Sequence, residues 1–435
     1  MIGLKNSLVN YFKKAEKKNF NHNLGIELEH FILDKKEMTS ISYAGDKGIQ
    51  QLLLALMDKY PEARPINEGS FLGFNLPEFN ITLEPAAQLE ISIAPSESVE
   101  WIEEVYKDFL KNLEEILDRF GYIAKNAGGQ PISKVKDLKL IPKRRYELMN
   151  EHFGKIGSGG MEMMRGTASL QVSIDYRNES DFREKFQAAY FYGPILKILC
   201  DNTEIFQGEE VKGYLKRTDI WRRTDSNRCG IIPGVFSKDF GYGNYADFIC
   251  NLIPILIKDA EEIIPTGNKK AADIYEGKSL NDEEIAHLLS MAFPDVRLKQ
   301  FIEIRFADSV AYPFASAYAA LIKGLLYSKE GIAFAQNFIL NKNLKDEDIL
   351  NSEDELMEKG WKAYVYNRPV KELATCILKI AERNLPPEEK LYLEPFTAVI
   401  EYGGITKIPE DKLKEILEKS NENRRYIYEI TGTGI

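Results

Sequence analysis

The chain has 435 residues, with 57 Lys and Arg against 67 Asp and Glu, for a formal net charge of −10. With 44% apolar and 11% aromatic residues it can bury a large core, which excludes disorder, collagen-like repeats and a coiled coil, and its length allows up to about three domains. The acidic balance argues against nucleic-acid binding, and only four histidines leave any cation to be held by carboxylates.

In chain order, the first stretch scatters Lys5, Lys13, Lys14, Glu16, Lys17 and Lys18 among apolar positions, so no signal peptide is expected. Residues 25–33 alternate as a strand with Glu27 and Glu29 on its polar side. Residues 81–93 read as a second strand carrying Gln88 and Glu90, and Glu84 shares the parity of Glu90 if Pro85 introduces no bulge. Residues 99–120 place apolar side chains at three- and four-residue steps, an amphipathic helix of about six turns ended by Gly121. A third strand, 168–176, offers Gln171, Ser173 and Asp175, and helical periodicity returns at 181–199.

Two glycine motifs in the second half are weak phosphate-loop candidates. Residues 241–246 match G-x-G-x-x-A formally, but with no strand ahead they read as a packed turn. Gly277-Lys278-Ser279 ends like a Walker loop, yet Ala272 stands where its first glycine belongs. The fourth strand, 301–307, carries Glu303 and Arg305. Helical patterns follow at 315–327 and 373–382, and the acidic stretch 341–359 is expected to be a solvated helix or loop. We expect one catalytic unit over 1–435, with about 329–435 a mainly helical packed extension. No apolar run reaches the roughly 20 residues that cross a bilayer, so no membrane association is expected. Cys200, Cys229, Cys250 and Cys376 lack metal or disulfide spacing and read as buried free thiols of a cytoplasmic protein.

The polar faces of the four strands are unusual because acids dominate them. Either the strands are scattered and each Glu faces water alone, or they are neighbours and their carboxylates repel until cations compensate. Oxygen ligands without His or Cys suit Mg²⁺ or Mn²⁺, which bridge to substrate phosphates. Basic clusters complement them: Lys216, Arg217, Trp221, Arg222, Arg223 and Arg228; Lys143 to Arg145; and Arg297 with Lys299. Each cluster either forms surface salt bridges or presents guanidinium forks to carboxylates and phosphates. Taken together they suggest a nucleotide, a divalent metal and a carboxylate substrate.

Six blocks in order resemble the plant and proteobacterial type of glutamate–cysteine ligase over roughly residues 24–308. They are Gly25 to Glu29; Thr82 to Pro85 with Gln88 to Ser92; Pro142 to Tyr146; Met163-Met164, Thr167 and Gln171 to Asp175; Arg217 to Arg228; and Phe293 to Lys299 with Glu303 to Asp308. The resemblance implies an α+β fold, a saddle-like antiparallel sheet of about six strands flanked by helices, as in glutamine synthetase and the guanido kinases. It implies an ATP-dependent ligase that phosphorylates the side-chain carboxylate of glutamate and joins it to the amine of cysteine, as a monomer or homodimer. Carried over residue by residue, it makes Glu27, Glu29, Glu84, Glu90, Gln171 and Glu303 metal ligands or their near neighbours. Arg305 would stabilise the transferred phosphoryl group beside Glu303. Arg145, Arg217, Trp221 and Thr167 would bind glutamate, and Arg297 and Lys299 the nucleotide phosphates. Two departures stand out: Arg165 precedes Gly166-Thr167-Ala168 where the family often reads Arg-Thr-Cys, and Phe306 replaces a glycine after Arg305, which is expected to reshape a wall of the site. A superfamily ligase with another amine acceptor, and a non-catalytic metal- or nucleotide-binding homologue, are the alternatives.

Overall fold

The computed structural model describes residues 2–19, 21–259 and 262–420. Its centre is a nine-stranded sheet made of β1 (Leu24–Asp34), β2 (Arg64–Asn67), β3 (Phe71–Asn75), β4 (Phe79–Leu83), β5 (Leu89–Ser96), β6 (Tyr122–Lys125), β7 (Ser169–Ile174), β8 (Val296–Leu298) and β9 (Ile302–Asp308). The spatial order is β8-β9-β7-β1-β5-β4-β3-β2, with β6 pairing the far half of β1, and all neighbours run antiparallel. The α+β plan is the expected one. The strand count exceeds the expected six because β2, β3, β6 and β8 are only three to five residues long, too short to show a period of two.

The stretch read as one strand over 81–93 is instead a hairpin of β4 and β5. Pro85 has no N–H for a ladder, and Ala87 sits in the left-handed region at φ 66°. The turn closes through the Glu84 amide, which donates to the Gln88 carbonyl at 2.9 Å. Glu84 therefore leaves the sheet on a turn.

Alternation gives the sheet two unlike faces. Ile26 and Leu28, Ile91 and Ile93, Leu170 and Val172, and Ile302 and Ile304 are all buried. Three helices cover that apolar face: Val99–Phe120, Glu179–Leu199 and Phe314–Leu326. The first is held at both ends, with Ser98 Oγ accepting from the Trp101 amide at 3.1 Å and Gly121 stopping it at φ 79°. Helix Glu179–Leu199 is buried almost all round because helices Lys329–Lys342 and Asp346–Lys359 pack on its outer side. The acidic stretch is thus a helix, and it is not wholly solvated: Glu353 is buried and accepts from Lys197 Nζ at 2.5 Å. Of the cysteines, Cys200 and Cys250 are buried and the other two are half-buried. Among the described residues no helix is long and apolar enough to cross a membrane.

Candidate active site

The second face of the sheet carries the chemistry, and register decides which groups meet. Glu29 on β1 lies directly opposite Glu90 on β5, and Glu90 in turn opposite Thr82 on β4. Glu27 lies between Ser92 on one side and Gln171 on the other. Glu303 on β9 faces Ser173 and Arg297. The strands are neighbours, so the isolated-Glu alternative falls away. Above them is a cavity of about 230 Å³, lined by Glu27, Glu29, Glu84, Glu90, Arg145, Thr167, Gln171, Arg217, Trp221, Arg297 and Arg305. Eleven of the thirteen sequence candidates line it; Glu303 and Lys299 do not.

The carboxylates at the β1–β5 end are under electrostatic pressure. Burial, and then Glu29, pushes Glu84 up to about 7. Burial followed by the charges of Glu27 and Glu84 pushes Glu90 well above the ordinary range, and Glu27 is raised by burial and then by Glu303. Glu29 is raised by burial too, although Ser169 relieves it through its hydroxyl at 2.7 Å and its amide at 2.9 Å.

Glu303 is the opposite case. Burial would raise it, but Arg297, Lys299 and Arg305 hold it well below the ordinary range. Its carboxylate accepts from Arg297 Nε at 2.6 Å, Lys299 Nζ at 2.7 Å and Arg305 Nη1 at 3.0 Å. Glu303, expected among the metal ligands, is therefore occupied by three cations and has no exposed surface.

The arginines are braced from behind. Arg145 donates to Ser290 Oγ at 3.0 Å and to the Ser290 carbonyl at 2.8 Å. Arg217 donates to the carbonyls of Arg305 and Phe306, leaves its Nε without a partner, and stacks over Trp221 with its guanidinium carbon 5.5 Å from the ring. Arg305 approaches the same ring at 5.9 Å and also donates to Gln171 Oε1. Thr167 turns its hydroxyl to the Met163 carbonyl, and its own carbonyl accepts from Gln88 Nε2 at 3.1 Å.

Sequence reasoning did not single out Tyr146, Ser169 or Ser290 as site residues, and all three line the cavity. Ser169 had a signal, because it shares the parity of Gln171 two residues on. Ser290 had none, being a helix cap that reaches the site only through the fold. Phe306 is a correction. Phe306 and Arg305 lie at a bulge between the pairs Ile304–Val172 and Ala307–Leu170, and Phe306 packs beneath the sheet, its ring 6.4 Å from Tyr190, in space left by Gly193, where a Cβ would meet it at 2.9 Å. It shapes the core and not a wall of the site. Arg165 also points elsewhere, donating to the Leu138 carbonyl and to Asn150, each at 2.6 Å.

Residues 23–427 match the family model for glutamate-cysteine ligase family 2. The chain belongs to this family. The match runs past the sequence blocks into the C-terminal helices, so these are part of what the family shares. The chloroplastic glutamate–cysteine ligase of Nicotiana tabacum is 28% identical over 95% of this chain and 79% of its own length. That of Arabidopsis thaliana is 26% identical over 94% of this chain and 79% of its own. In fold, the chain is similar to the crystal structure of glutamate–cysteine ligase from Francisella tularensis in complex with AMP, with a TM-score of 0.53 and 11% identity over 96% of this chain and 89% of that one.

Proposed function

We propose that this family member transfers the γ-phosphoryl group of ATP to the γ-carboxylate of L-glutamate and then joins the acyl phosphate to the amine of L-cysteine. The products are γ-glutamylcysteine, ADP and phosphate, the first step towards glutathione or a related thiol. The observation that carries the mechanism is one cavity in which raised carboxylates face Arg145, Arg217 and Arg305.

Arg145 and Arg217 present planar forks suited to the α-carboxylate of glutamate, with Trp221 and Thr167 closing the pocket around it. Arg305, held by Glu303 and Gln171 at the cavity wall, is the fixed cation that stabilises charge developing on the transferred phosphoryl group. Arg297, which lines the cavity, meets the nucleotide phosphates from the Glu303 end, while Lys299, expected to do the same, stays on Glu303 outside the cavity. A second cavity of about 320 Å³ also touches Glu27 and continues along the same face past Asn80, Ser92 and Ser173. It suits the nucleoside end of ATP.

Mg²⁺, or Mn²⁺, fits the remaining residues. Glu27, Glu29, Glu84, Glu90 and Gln171 supply hard oxygen donors, and the mutual repulsion of the acids is the charge a divalent cation relieves. Among the described residues no three acid, His or Cys side chains form a group that could hold an ion alone. Mg²⁺ usually takes one or two carboxylates and completes its shell with water and substrate phosphates. Glu303 joins such a shell only where one of its three cations moves off. When bound, the metal would neutralise part of the triphosphate's charge during phosphoryl transfer. A reducing, cytoplasmic setting goes with this reading, since Cys200 and Cys250 are free thiols in the core.

Phosphate release with Mg-ATP and glutamate, measured while different amines are supplied, tests the proposal. Stimulation by cysteine with γ-glutamylcysteine as product is the expected outcome. Turnover with another amine and none with cysteine would replace the acceptor, and binding of Mg-ATP without any turnover would leave a non-catalytic homologue.

A further inference from the structure

A cavity of about 740 Å³ lies between helices Glu179–Leu199 and Lys329–Lys342 and shares no lining residue with the acidic one. Its size falls within the roughly 300–1,000 Å³ usual for small-molecule sites. One side is apolar, with Phe236, Ile332 and Leu340, and Leu340 remains 56% exposed. The charges lining it are mostly positive: Arg177, Arg183, Lys185, Lys238 and Lys329 stand against Asp181 and Glu184. Asp181 pairs with Lys185 and Arg177, each at 3.0 Å, and Lys185 Nζ also donates to the Asp175 carbonyl at 2.8 Å, so an incoming anion is left to Lys238 and Lys329. Lys185 is buried, its Nζ 4.5 Å from the centre of the Tyr327 ring, on which His22 stacks at 4.7 Å. Burial, and then Lys185 and Lys323, push His22 below its ordinary value against an opposing effect of Glu97.

We infer that this cavity binds an organic anion with an apolar body, its carboxylate or phosphate end at Lys238 and Lys329 and its hydrocarbon against Ile332 and Leu340. Tyr327 connects it to the sheet face. The Tyr327 hydroxyl donates to the Asn23 carbonyl at 2.5 Å and accepts from the Asp175 amide at 2.7 Å. Asn23 and Asp175 both line the cavity assigned above to the nucleoside end of ATP. An occupant pressing on Tyr327 therefore changes nucleotide affinity, and the nucleotide changes affinity for the occupant by the same factor. This linkage rests on the proposed function; the binding itself does not.

Fluorescence titration of the full chain with anilinonaphthalene sulfonate, in the presence and absence of excess Mg-ATP, tests the site. Saturable binding to one site, retained with Mg-ATP and displaced by octanoate or octyl phosphate but not by inorganic phosphate, is expected. The double variant Lys238→Glu with Lys329→Glu, and separately Leu340→Asp, should each weaken it by about tenfold or more, with melting temperature and basal turnover unchanged. Binding that ignores both variants, or that Mg-ATP abolishes, would overturn the site. An unchanged KM for ATP under saturating octanoate would overturn the linkage, and loss of ligase activity altogether would show in the turnover assay while leaving the binding result readable.

Discussion

Glu84, on the turn at one end of the site, and Glu303, on the sheet at the other, are the same side chain and respond to burial in opposite ways. Glu84, among Glu29, Glu27 and Glu90, is pushed up to about 7, whereas Glu303, ringed by Arg297, Lys299 and Arg305, is held far down. Burial is the largest influence at both and raises both, so the sign is decided by the neighbours' charge. One end of the face calls for added cations and the other holds its cations ready for an anion. On the proposed function, a polyphosphate carrying its own metal would satisfy both ends at once and so let a chain of net charge −10 hold a polyanion.

Removing the cation shared between the two ends is the harshest way to break this contrast. Arg305→Ala should lower kcat about 10²- to 10³-fold, the range seen when one fixed stabiliser of transition-state charge is lost. The melting temperature should stay close to wild type, because Glu303 keeps Arg297 and Lys299. A loss of kcat below tenfold would remove Arg305 from the phosphoryl-transfer step.

Neutralising the strained end separates its two roles. Glu84→Gln should raise the Mg²⁺ concentration needed for half-maximal turnover by about tenfold or more. In the metal-free protein the same change should stabilise. A carboxyl raised by folding binds its proton more tightly when folded, so wild-type stability is fullest below 4.5 and falls as pH rises towards about 7. Melting curves of metal-free wild type should therefore drop by a few degrees across that window, and those of Glu84→Gln should drop less. Parallel curves for the two proteins would show that Glu84 carries no such pressure.

Much of this contrast was legible in the residues. Strand alternation placed Glu27, Glu29, Glu90, Gln171 and Arg305 on one face, and all five line the cavity. What alternation could not supply was register, which sets Glu29 opposite Glu90 and Arg297 opposite Glu303. It also missed that Glu84 reaches the site from a turn, since the left-handed conformation of Ala87 has no signature in an alanine. Glu303 was named for its type and position, but three cations converging on it is a property of the folded chain. The same limit hid Phe306, because it and Arg305 sit at a bulge where alternation no longer fixes the side a residue takes. Phe306→Leu should cost about 1–2 kcal/mol of stability and leave the KM for cysteine unchanged; a shifted cysteine KM with an intact melting temperature would return it to the wall of the site.

Ser290 carries the smallest expected effect and the most specific one. Its hydroxyl donates to the His287 carbonyl at 2.6 Å, which fixes the lone pair that accepts from Arg145. The Arg145 guanidinium is thereby held at two of its nitrogens, and only its remaining N–H groups are free to turn to the cavity. Ser290→Ala removes one of the two bonds and keeps the backbone carbonyl, a loss of about 1 kcal/mol in the positioning of one charged group. Because Arg145 is assigned to the α-carboxylate and not to the transferred phosphoryl, that loss should appear as a KM for glutamate raised by about fivefold, with kcat and the KM for ATP unchanged. A fall in kcat at constant KM would instead place Arg145 beside the reacting carboxylate, on the same side of the chemistry as Arg305.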